Sequence, residues 1–348
     1  MKMQIASITL AIWFALACIS STSASAWPFS NRGKVIRIQN EKDGRIQSFK
    51  ILELIGEGAY GEVFKAFDLK TKSYVAIKLI NLEASLLPKN NVQAWQEALE
   101  AVNELSEKEE ILLTRMLRNY SFLLSPSNNF VTVRGFGQQI RDSLLVSKKL
   151  AVVMNLLDED SHHLFKSLPL NPENNQYIER IELTEAFIDF SLAALQELKE
   201  KDLIHGDIKP QNILYSRHHH KFFLTDFDNL HFADEKLIAL ISTPPYRPPE
   251  WNRVDKIRSY QSDLYSFAVS LLDLLVDLDS IPALMVLLEK ATKSPNQERF
   301  LEIKTEIQAL LEAQIHKRFV QPSLLERYSA IESFIWKAFE FNPEDRQV

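Results

Sequence analysis

The sequence predicts an α+β chain with a β-rich N-terminal lobe and a helical C-terminal lobe. Three short β-type runs separated by turn residues, Phe49–Ile55, Glu62–Leu69 and Ser73–Asn81, predict an antiparallel meander. After Asp158, long apolar patterns with helical spacing replace these runs. The 348 residues are 46% hydrophobic and 25% charged, which is enough to bury one large core or two smaller ones. This composition argues against a disordered chain and against a polytopic membrane protein.

The charge balance argues against a nucleic-acid partner. Lys and Arg number 40 and Asp and Glu number 46, so the formal net charge of −6 has the wrong sign for binding a phosphate backbone. The sequence has one cysteine, Cys18, which excludes an intrachain disulfide framework and a cysteine-based zinc site within it.

Residues 1–26 have the layout of a signal peptide. Lys2 is followed by the apolar stretch Ile5–Ile19 and by small polar residues that end at Ala26. A helix of that apolar length rises about 22 Å, less than the roughly 30 Å of a bilayer core, so no transmembrane anchor is expected in the mature chain. Cleavage after Ala26 and lipidation at Cys18, which ends a degenerate lipobox, are the two alternatives. Both predict an exported or secreted protein, for which a host cell is one place of action.

The N-terminal lobe is expected to span residues 49–157. Residues 27–48 form a short, polar and charged segment, which predicts a linker with a strand near Lys34–Gln39. Apolar residues at helical spacing over Asn91–Leu117 predict one or two helices. Two further strands are expected near Phe130–Gln138 and Leu144–Leu157.

The C-terminal lobe is expected to span residues 158–348 and to complete a domain of residues 49–348. Its long helices are predicted over Ile181–Lys199 and Tyr260–Leu278. Two short strands are expected between them, near Asn212–Ser216 and Phe222–Thr225. Three consecutive histidines separate these strands and predict a polar hairpin turn, because the sequence offers no fourth ligand for a metal ion.

A glycine-rich turn lies between the first two strands of the meander. Residues Gly56–Val63 follow the pattern G-x-G-x-x-G-x-V, whose glycines let backbone amides approach phosphate oxygens without obstruction by a Cβ. A dinucleotide-binding βαβ unit shares these letters, but there the loop leads into a helix, whereas Glu62–Phe67 is strand-like. On the next strand, alternation places Ala76 and Lys78 on one face, so that a small residue faces a nucleotide base while the ammonium reaches its phosphates.

Two motifs further along carry candidate groups for proton and metal chemistry. Residues His205–Asn212 read H-G-D-I-K-P-Q-N, and Thr225–Asp228 reads T-D-F-D. With these motifs in place, the chain resembles the eukaryotic-type protein kinases over nearly all of residues 49–348. The resemblance implies a two-lobed protein kinase-like fold that uses ATP and Mg²⁺.

The resemblance implies a role for each candidate side chain. Asp207 is expected to orient the attacking hydroxyl and accept its proton, and Lys209 to neutralise the transferring phosphoryl group. Asn212 and Asp226 are the expected Mg²⁺ ligands. The glutamate partner of the strand lysine is expected to be Glu109, with Glu107 as the alternative. The other implied ATP-binding residues are Ile55, Gly56, Glu57, Gly58, Ala59, Tyr60, Gly61, Val63, Ala76, Lys78, Met154, Leu156 and Leu214.

The chain departs from the family pattern at two of these motifs. Gly206 stands where the family has an arginine that commonly receives an activation-loop phosphate, so we expect no required phosphorylation of the chain's own loop. Asp228 stands at the glycine of D-F-G, which removes a glycine's freedom to adopt positive φ but no reacting group. Thr243 is expected to be a structural hydroxyl near Asp207 and Lys209.

Two further matches imply structural contacts. Glu250, in Pro248-Pro249-Glu250, needs a buried cation because an unpaired buried carboxylate is costly, and Arg346 stands where the family has that cation. Asp263 matches the carboxylate that braces the catalytic loop from the start of a long helix.

These observations predict an exported bacterial protein kinase that phosphorylates serine and threonine in protein substrates. Lys209-Pro210 and Thr243 are similar to the serine/threonine branch of the family. Two alternatives stay open. One is a kinase-fold phosphotransferase for a small molecule, and the other is a pseudokinase that binds a partner without catalysis.

Overall fold

The structure is a computed structural model, and it describes residues 32–40, 43–57, 61–81, 115–121, 123–125, 127–140, 149–171, 177–233, 243–252, 259–315, 319 and 321–347. The described chain forms two compact units. The first contains the described residues before 114 together with 134–156, and the second contains those of 114–133 and 157–348.

The first unit is a closed antiparallel barrel with the strand order β1-β2-β3-β4-β6-β5. The meander predicted from the three β-type runs is confirmed as β2, β3 and β4, which pair in sequence. The six strands are β1 (Val35–Asn40), β2 (Ile46–Glu57), β3 (Gly61–Asp68), β4 (Tyr74–Asn81), β5 (Val133–Ile140) and β6 (Lys149–Asn155).

Apolar side chains from one face of β1, β2, β3, β4 and β6 form the core of the barrel. In β4, the alternate residues Val75, Ile77 and Leu79 are all at most 5% exposed and belong to this core. Because successive strand residues point to opposite faces, the residues between them face away from the core. The other core members are Ile36, Ile38, Phe49, Ile51, Phe64, Ala66, Ala151 and Val153.

The strand β1 closes the barrel by pairing with both β2 and β5. Ile36 lies opposite Phe49 in β2, Ile38 lies opposite Gln139 in β5, and both isoleucines are buried. The strand expected near Lys34–Gln39 is therefore confirmed, and the structure pairs it within the barrel, although the sequence placed it in a linker of residues 27–48.

The second unit is mostly helical, as the sequence predicted, and the two long helices are present as α3 and α4. Within the described residues, its helices are α1 (115–121), α2 (Ser161–Lys166), α3 (Tyr177–Glu200), α4 (Tyr260–Val276), α5 (Pro282–Thr292), α6 (Gln297–Gln314) and α7 (Pro322–Ala338). Within the described part of the chain, no helix is both long and apolar enough to span a membrane.

Short strands lie between these helices. They are β7 (Glu159–Asp160), β8 (Leu203–Ile204), β9 (Ile213–Ser216), β10 (Lys221–Leu224) and β11 (His231–Phe232). The orders are β10-β9-β7 in one sheet and β11-β8 in another. The two sequence motifs are in the loops between these strands, His205–Asn212 after β8 and Thr225–Asp228 after β10. The hairpin predicted around the three histidines is confirmed, since β9 and β10 pair and residues 217–220 form an exposed turn between them.

The buried helix α4 is the centre of the second unit. Almost all of its residues are buried, and at its start the backbone amide of Ser259 donates to the hydroxyl of Ser262 at 3.2 Å. Phe267 packs edge-on against Phe187 and Phe190 of α3, with ring centroids 6.2 and 6.3 Å apart. Burying each such ring stabilises the fold by about 1.5–3 kcal/mol. The contact between α3 and α4 therefore stabilises the interior of the second unit.

The described residues of 114–133 belong to the second unit, although the sequence placed them within an N-terminal lobe of 49–157. The backbone amide of Val131 donates to the carbonyl of Leu224 at 2.9 Å, and the amide of Leu224 donates to Asn129 at 2.8 Å. The side chain of Asn129 also donates to Glu197 of α3 at 2.8 Å. These contacts join sequence-distant segments, so no local pattern indicates them. Of the helices predicted over Asn91–Leu117, residues 115–117 lie in α1 and 91–114 lie outside the described residues.

Candidate active site

In the first unit, the face of the sheet opposite the barrel core collects several of the predicted nucleotide-binding residues. Lys78 of β4 lies opposite Val63 of β3, and Ala76 lies opposite Met154 of β6. All four residues lie outside the core cluster, as strand alternation requires. The shared face predicted for Ala76 and Lys78 is therefore confirmed, and it includes Val63 and Met154, which the resemblance also implied.

Lys78 is only 5% exposed. A buried ammonium is costly unless anionic groups compensate it, so this position suits a side chain that meets phosphate oxygens. The glutamates expected to pair with it, Glu109 and Glu107, lie outside the described residues, and the choice between them stays a prediction.

The glycine-rich turn is described at both of its ends. Gly56 lies opposite Val63 across the β2–β3 pair, and the preceding Ile55 is 47% exposed. A Cβ at Gly61 would collide with the carbonyl oxygen of Leu79, so only glycine fits where β3 approaches β4. Glu57 lies opposite Glu62, and Leu156 follows β6 in a partly buried position. Gly58, Ala59 and Tyr60 lie outside the described residues.

In the second unit, Asp263 braces the start of the catalytic motif. Its carboxylate accepts hydrogen bonds from the backbone amides of His205 at 2.7 Å and Gly206 at 3.0 Å, as predicted. Gly206 has φ +78°, in the left-handed region that favours glycine. Glycine at position 206, where the family has an arginine, therefore suits the backbone conformation of the loop.

Asp207, Lys209 and Thr243 form one hydrogen-bonded group. The Lys209 ammonium donates to the Asp207 carboxylate at 2.8 Å and to the Thr243 hydroxyl at 2.9 Å. The backbone amide of Thr243 also donates to Asp207, at 3.3 Å. The prediction that Thr243 is a structural hydroxyl beside these two residues is confirmed. The cation thus lies beside the carboxylate that would receive a proton.

The two expected metal ligands lie on segments that are joined by hydrogen bonds. The side-chain nitrogen of Asn212 donates to the carbonyl oxygen of Asp207 at 2.8 Å, so its amide oxygen is the atom suited to a cation. The amide of Thr225 donates to the carbonyl of Asn212 at 2.9 Å, and Thr225 immediately precedes Asp226. Asp226 has φ 63° and ψ 65°, a left-handed conformation that is rare for a residue with a Cβ.

This set of donors fits Mg²⁺ bound together with a nucleotide. Mg²⁺ prefers oxygen ligands and is usually held by one or two carboxylates plus substrate phosphates. Asp226 and Asn212 supply such oxygens, and within the described residues no cluster of three or more His, Cys, Asp or Glu side chains forms a self-contained metal site. Mg²⁺ bound here would neutralise phosphate charge. Leu214, partly exposed between buried Ile213 and Tyr215, lies in the same strand-and-loop segment.

The predicted pair of Glu250 and Arg346 is present as a buried bidentate ion pair. The two guanidinium NH groups donate to the two carboxylate oxygens at 2.7 Å each. Ser262 of α4 donates to the same carboxylate at 2.8 Å, and the guanidinium lies over the ring of Tyr265. The pair thereby ties the segment that follows Thr243 to α4 and to the end of the described chain.

The motif geometry agrees with the comparisons with known proteins. The family model described as the protein kinase domain matches residues 49–347. The chain belongs to the protein kinase family. Its strand-rich first unit and helical second unit are the α+β architecture of that fold, and the family in general uses ATP and Mg²⁺ on protein substrates.

Several curated kinases are similar to this chain at low identity. The dual specificity tyrosine-phosphorylation-regulated kinase 2 of Drosophila melanogaster is 28% identical over 203 residues, which are 58% of this chain and 24% of the relative. The dual specificity tyrosine-phosphorylation-regulated kinase 3 of Homo sapiens is 25% identical over 244 residues, which are 69% of this chain and 36% of the relative. The probable serine/threonine-protein kinase dyrk2 of Dictyostelium discoideum is 27% identical over 211 residues, 60% of this chain and 20% of the relative. The chain thus spans about a third or less of the length of these relatives.

Sequence reasoning missed two residues of this kinase that touch the segment after Asp226. Asn119 donates to the carbonyl of Leu230 at 2.7 Å, and the Tyr120 hydroxyl donates to Asp228 at 2.6 Å. An aspartate in place of the D-F-G glycine indicates that a partner is needed. Tyr120 lies 108 residues earlier in the sequence, so no spacing rule identifies it.

Replacing Asp226 with asparagine is expected to weaken Mg²⁺-dependent nucleotide binding. The substitution keeps the shape of the side chain but removes the charged oxygen that a hard divalent cation prefers. ADP binding titrated against MgCl₂ measures the effect, with Asp345→Asn, an exposed position, as the control. An unchanged Mg²⁺ dependence would remove Asp226 from the metal site.

Proposed function

We propose that this protein kinase transfers the γ-phosphoryl group of ATP to serine and threonine hydroxyls of protein substrates. The observation that carries the proposal is the Lys209 ammonium held between Asp207 and Thr243. This arrangement places a cation and a proton acceptor side by side, which is what phosphoryl transfer to a hydroxyl requires.

The chemistry follows from these groups. The substrate hydroxyl oxygen forms a bond to the γ-phosphorus as the bond from that phosphorus to the bridging oxygen of ADP breaks. Asp207 accepts the hydroxyl proton, and Lys209 offsets the charge on the transferring group. Positioning and charge neutralisation supply the catalysis, with no covalent enzyme intermediate.

The names of the relatives leave the acceptor open between two classes. Two of them are called dual specificity kinases and one is called a probable serine/threonine-protein kinase. The match of Lys209-Pro210 and Thr243 to the serine/threonine branch favours aliphatic hydroxyls for this chain, and tyrosine is the alternative acceptor.

A radiolabelled ATP assay tests the proposal. Purified protein is incubated with [γ-³²P]ATP, Mg²⁺ and generic protein substrates, and labelled residues are identified after acid hydrolysis, with Asp207→Asn as the control. Phosphoserine and phosphothreonine that depend on Asp207 are expected. Phosphotyrosine as the main product would contradict the proposed acceptor. Label only on an aminoglycoside or sugar would favour a small-molecule phosphotransferase, and nucleotide binding without label would favour a pseudokinase.

Activity is expected not to depend on prior phosphorylation of the chain. Gly206 has no side chain with which to receive an activation-loop phosphate, and the Lys209 ammonium is already bonded to Asp207 and Thr243. The protein is treated with a broad phosphatase, checked by mass spectrometry for residual phosphate, and assayed beside a mock-treated sample. Equal rates are expected. A tenfold loss, about 1.4 kcal/mol in the barrier, would reveal a phosphate-dependent switch.

Export of the kinase from a bacterial cell is a separate proposal that rests on the sequence pattern of residues 1–26. Tagged full-length protein is expected in the culture medium with Trp27 at its N-terminus. An acyl group on Cys18 would favour the lipidated alternative. An intact N-terminus on protein found only inside the cell would contradict export.

A further inference from the structure

The 3₁₀ turn that follows Asp226 is bonded to two consecutive residues of α1. The Tyr120 hydroxyl donates to the Asp228 carboxylate at 2.6 Å, and the side chain of Asn119 donates to the carbonyl of Leu230 at 2.7 Å. The turn is closed by a backbone hydrogen bond from residue 230 to residue 227 at 3.1 Å. Helix α1 therefore contacts this segment at two points, the side chain of Asp228 and the backbone carbonyl of Leu230.

These contacts lie in the interior of the second unit. Asn119, Tyr120 and Asp228 are 1% exposed each. Burial, with the nearby charges of Asp228 and Asp226, raises the pKa of the Tyr120 phenol well above its ordinary value, so the hydroxyl remains a donor. A hydrogen bond from a buried phenol to a carboxylate is short and strong, so it fixes the position of Asp228 against Tyr120.

The residue directly before the turn, Asp226, has an energetically unfavourable backbone conformation. Asp226 lies in the left-handed region, which a residue with a Cβ occupies at an energetic cost and keeps only when its surroundings hold it. On the upstream side, the amide of Thr225 is bonded to Asn212. On the downstream side, Phe227 is fully buried against Phe130 and His205, and Asp228 is bonded to Tyr120.

We propose that Tyr120 and Asp228 are a positioning pair that holds Asp226 in its metal-binding conformation. A glycine at 228 would offer no side-chain oxygen to Tyr120, so the aspartate makes a connection to α1 that the D-F-G pattern cannot make. Asp228 acts through the turn, since its carboxylate is bonded to the buried phenol. The inference deepens the proposed function and rests on it only for the role of Asp226.

The first test removes only the hydroxyl of the pair. Tyr120→Phe is compared with Tyr177→Phe, which removes a hydroxyl from an equally buried tyrosine of α3 whose bond to the carbonyl of Leu275 is 3.5 Å long. Hydrogen exchange of the peptide covering 225–233 is measured without nucleotide. We expect about tenfold faster exchange in Tyr120→Phe, equivalent to about 1.4 kcal/mol, and unchanged exchange in the control.

The second measurement is the Mg²⁺ concentration that gives half-maximal ADP binding. It is expected to rise about tenfold in Tyr120→Phe, with ADP binding in the absence of Mg²⁺ unchanged. A purely structural hydroxyl would lower the unfolding temperature without moving the Mg²⁺ midpoint, and that result would overturn the proposal. If the wild type shows no Mg²⁺-dependent ADP binding, the proposed function fails, while the exchange experiment still decides whether the pair holds the turn.

A double-mutant cycle separates the pair from a direct role of Asp228 at the metal. Tyr120→Phe, Asp228→Asn and the double variant are expected to raise the Mg²⁺ midpoint by less in combination than the product of the single effects. A large effect of Asp228→Asn with none of Tyr120→Phe would show that Asp228 acts on the cation itself and would overturn the proposal. If Asp228→Asn does not fold, the comparison of Tyr120→Phe with Tyr177→Phe decides.

Discussion

Replacing Lys78 with methionine is expected to abolish phosphoryl transfer while leaving the fold nearly intact. The ammonium is proposed to meet the phosphates of ATP, and removing one such electrostatic contact costs about 10²–10³ in rate. Lys78 is 5% exposed on the sheet face opposite the barrel core. Methionine has a long apolar stem of similar shape that suits this buried position, so the change in unfolding free energy is expected to stay within about 1.5 kcal/mol.

The matched control for this substitution is Lys50→Met. Lys50 lies in β2 of the same barrel but is exposed, so losing its charge should change neither rate nor stability. Initial rates with labelled ATP and thermal unfolding curves are recorded for both variants. Near wild-type turnover by Lys78→Met would contradict the role of that lysine. A large drop in its unfolding temperature would mean that the charge supports the fold.

Replacing Arg346 with methionine is expected to destabilise the second unit by about 3–5 kcal/mol. The substitution leaves the Glu250 carboxylate buried without its guanidinium, and an uncompensated buried charge is among the costliest changes in a protein. The guanidinium side chain is 0% exposed and the carboxylate side chain 4% exposed. Urea unfolding followed by tryptophan fluorescence measures the loss.

The chain contains a control of the same chemistry at the surface. Arg327 donates to both carboxylate oxygens of Glu185, at 2.8 and 2.6 Å, but these side chains are 33% and 42% exposed. Because solvent screens exposed pairs, Arg327→Met is expected to cost less than about 1 kcal/mol. The double variant Glu250→Leu/Arg346→Met should be more stable than Arg346→Met alone, since no charge remains buried. Equal losses for Arg346→Met and Arg327→Met would refute the argument from burial.

The sequence alone determined the features that depend on near neighbours in the chain. Strand alternation is a two-residue rule, so the letters of β4 are enough to place Ala76 and Lys78 on one face. The spacing within His205–Asn212 likewise identified the groups that lie around Asp207. The long helices were predicted because apolar periodicity over many residues is a strong signal. Glu250 and Arg346 were paired from the sequence because both stand in motifs of the kinase family.

Only the tertiary structure decided the features that depend on the path of the chain. It brought β1 into the barrel, where β2 and β5 supply its partners. It joined Tyr120 to Asp228, although 108 residues separate them. It also showed that Gly206 occupies a left-handed conformation, which letters alone do not reveal. The physical reason is common to all three: a hydrogen bond or a backbone angle at one residue is selected by groups that are distant in sequence, and burial makes the contact with those groups decisive.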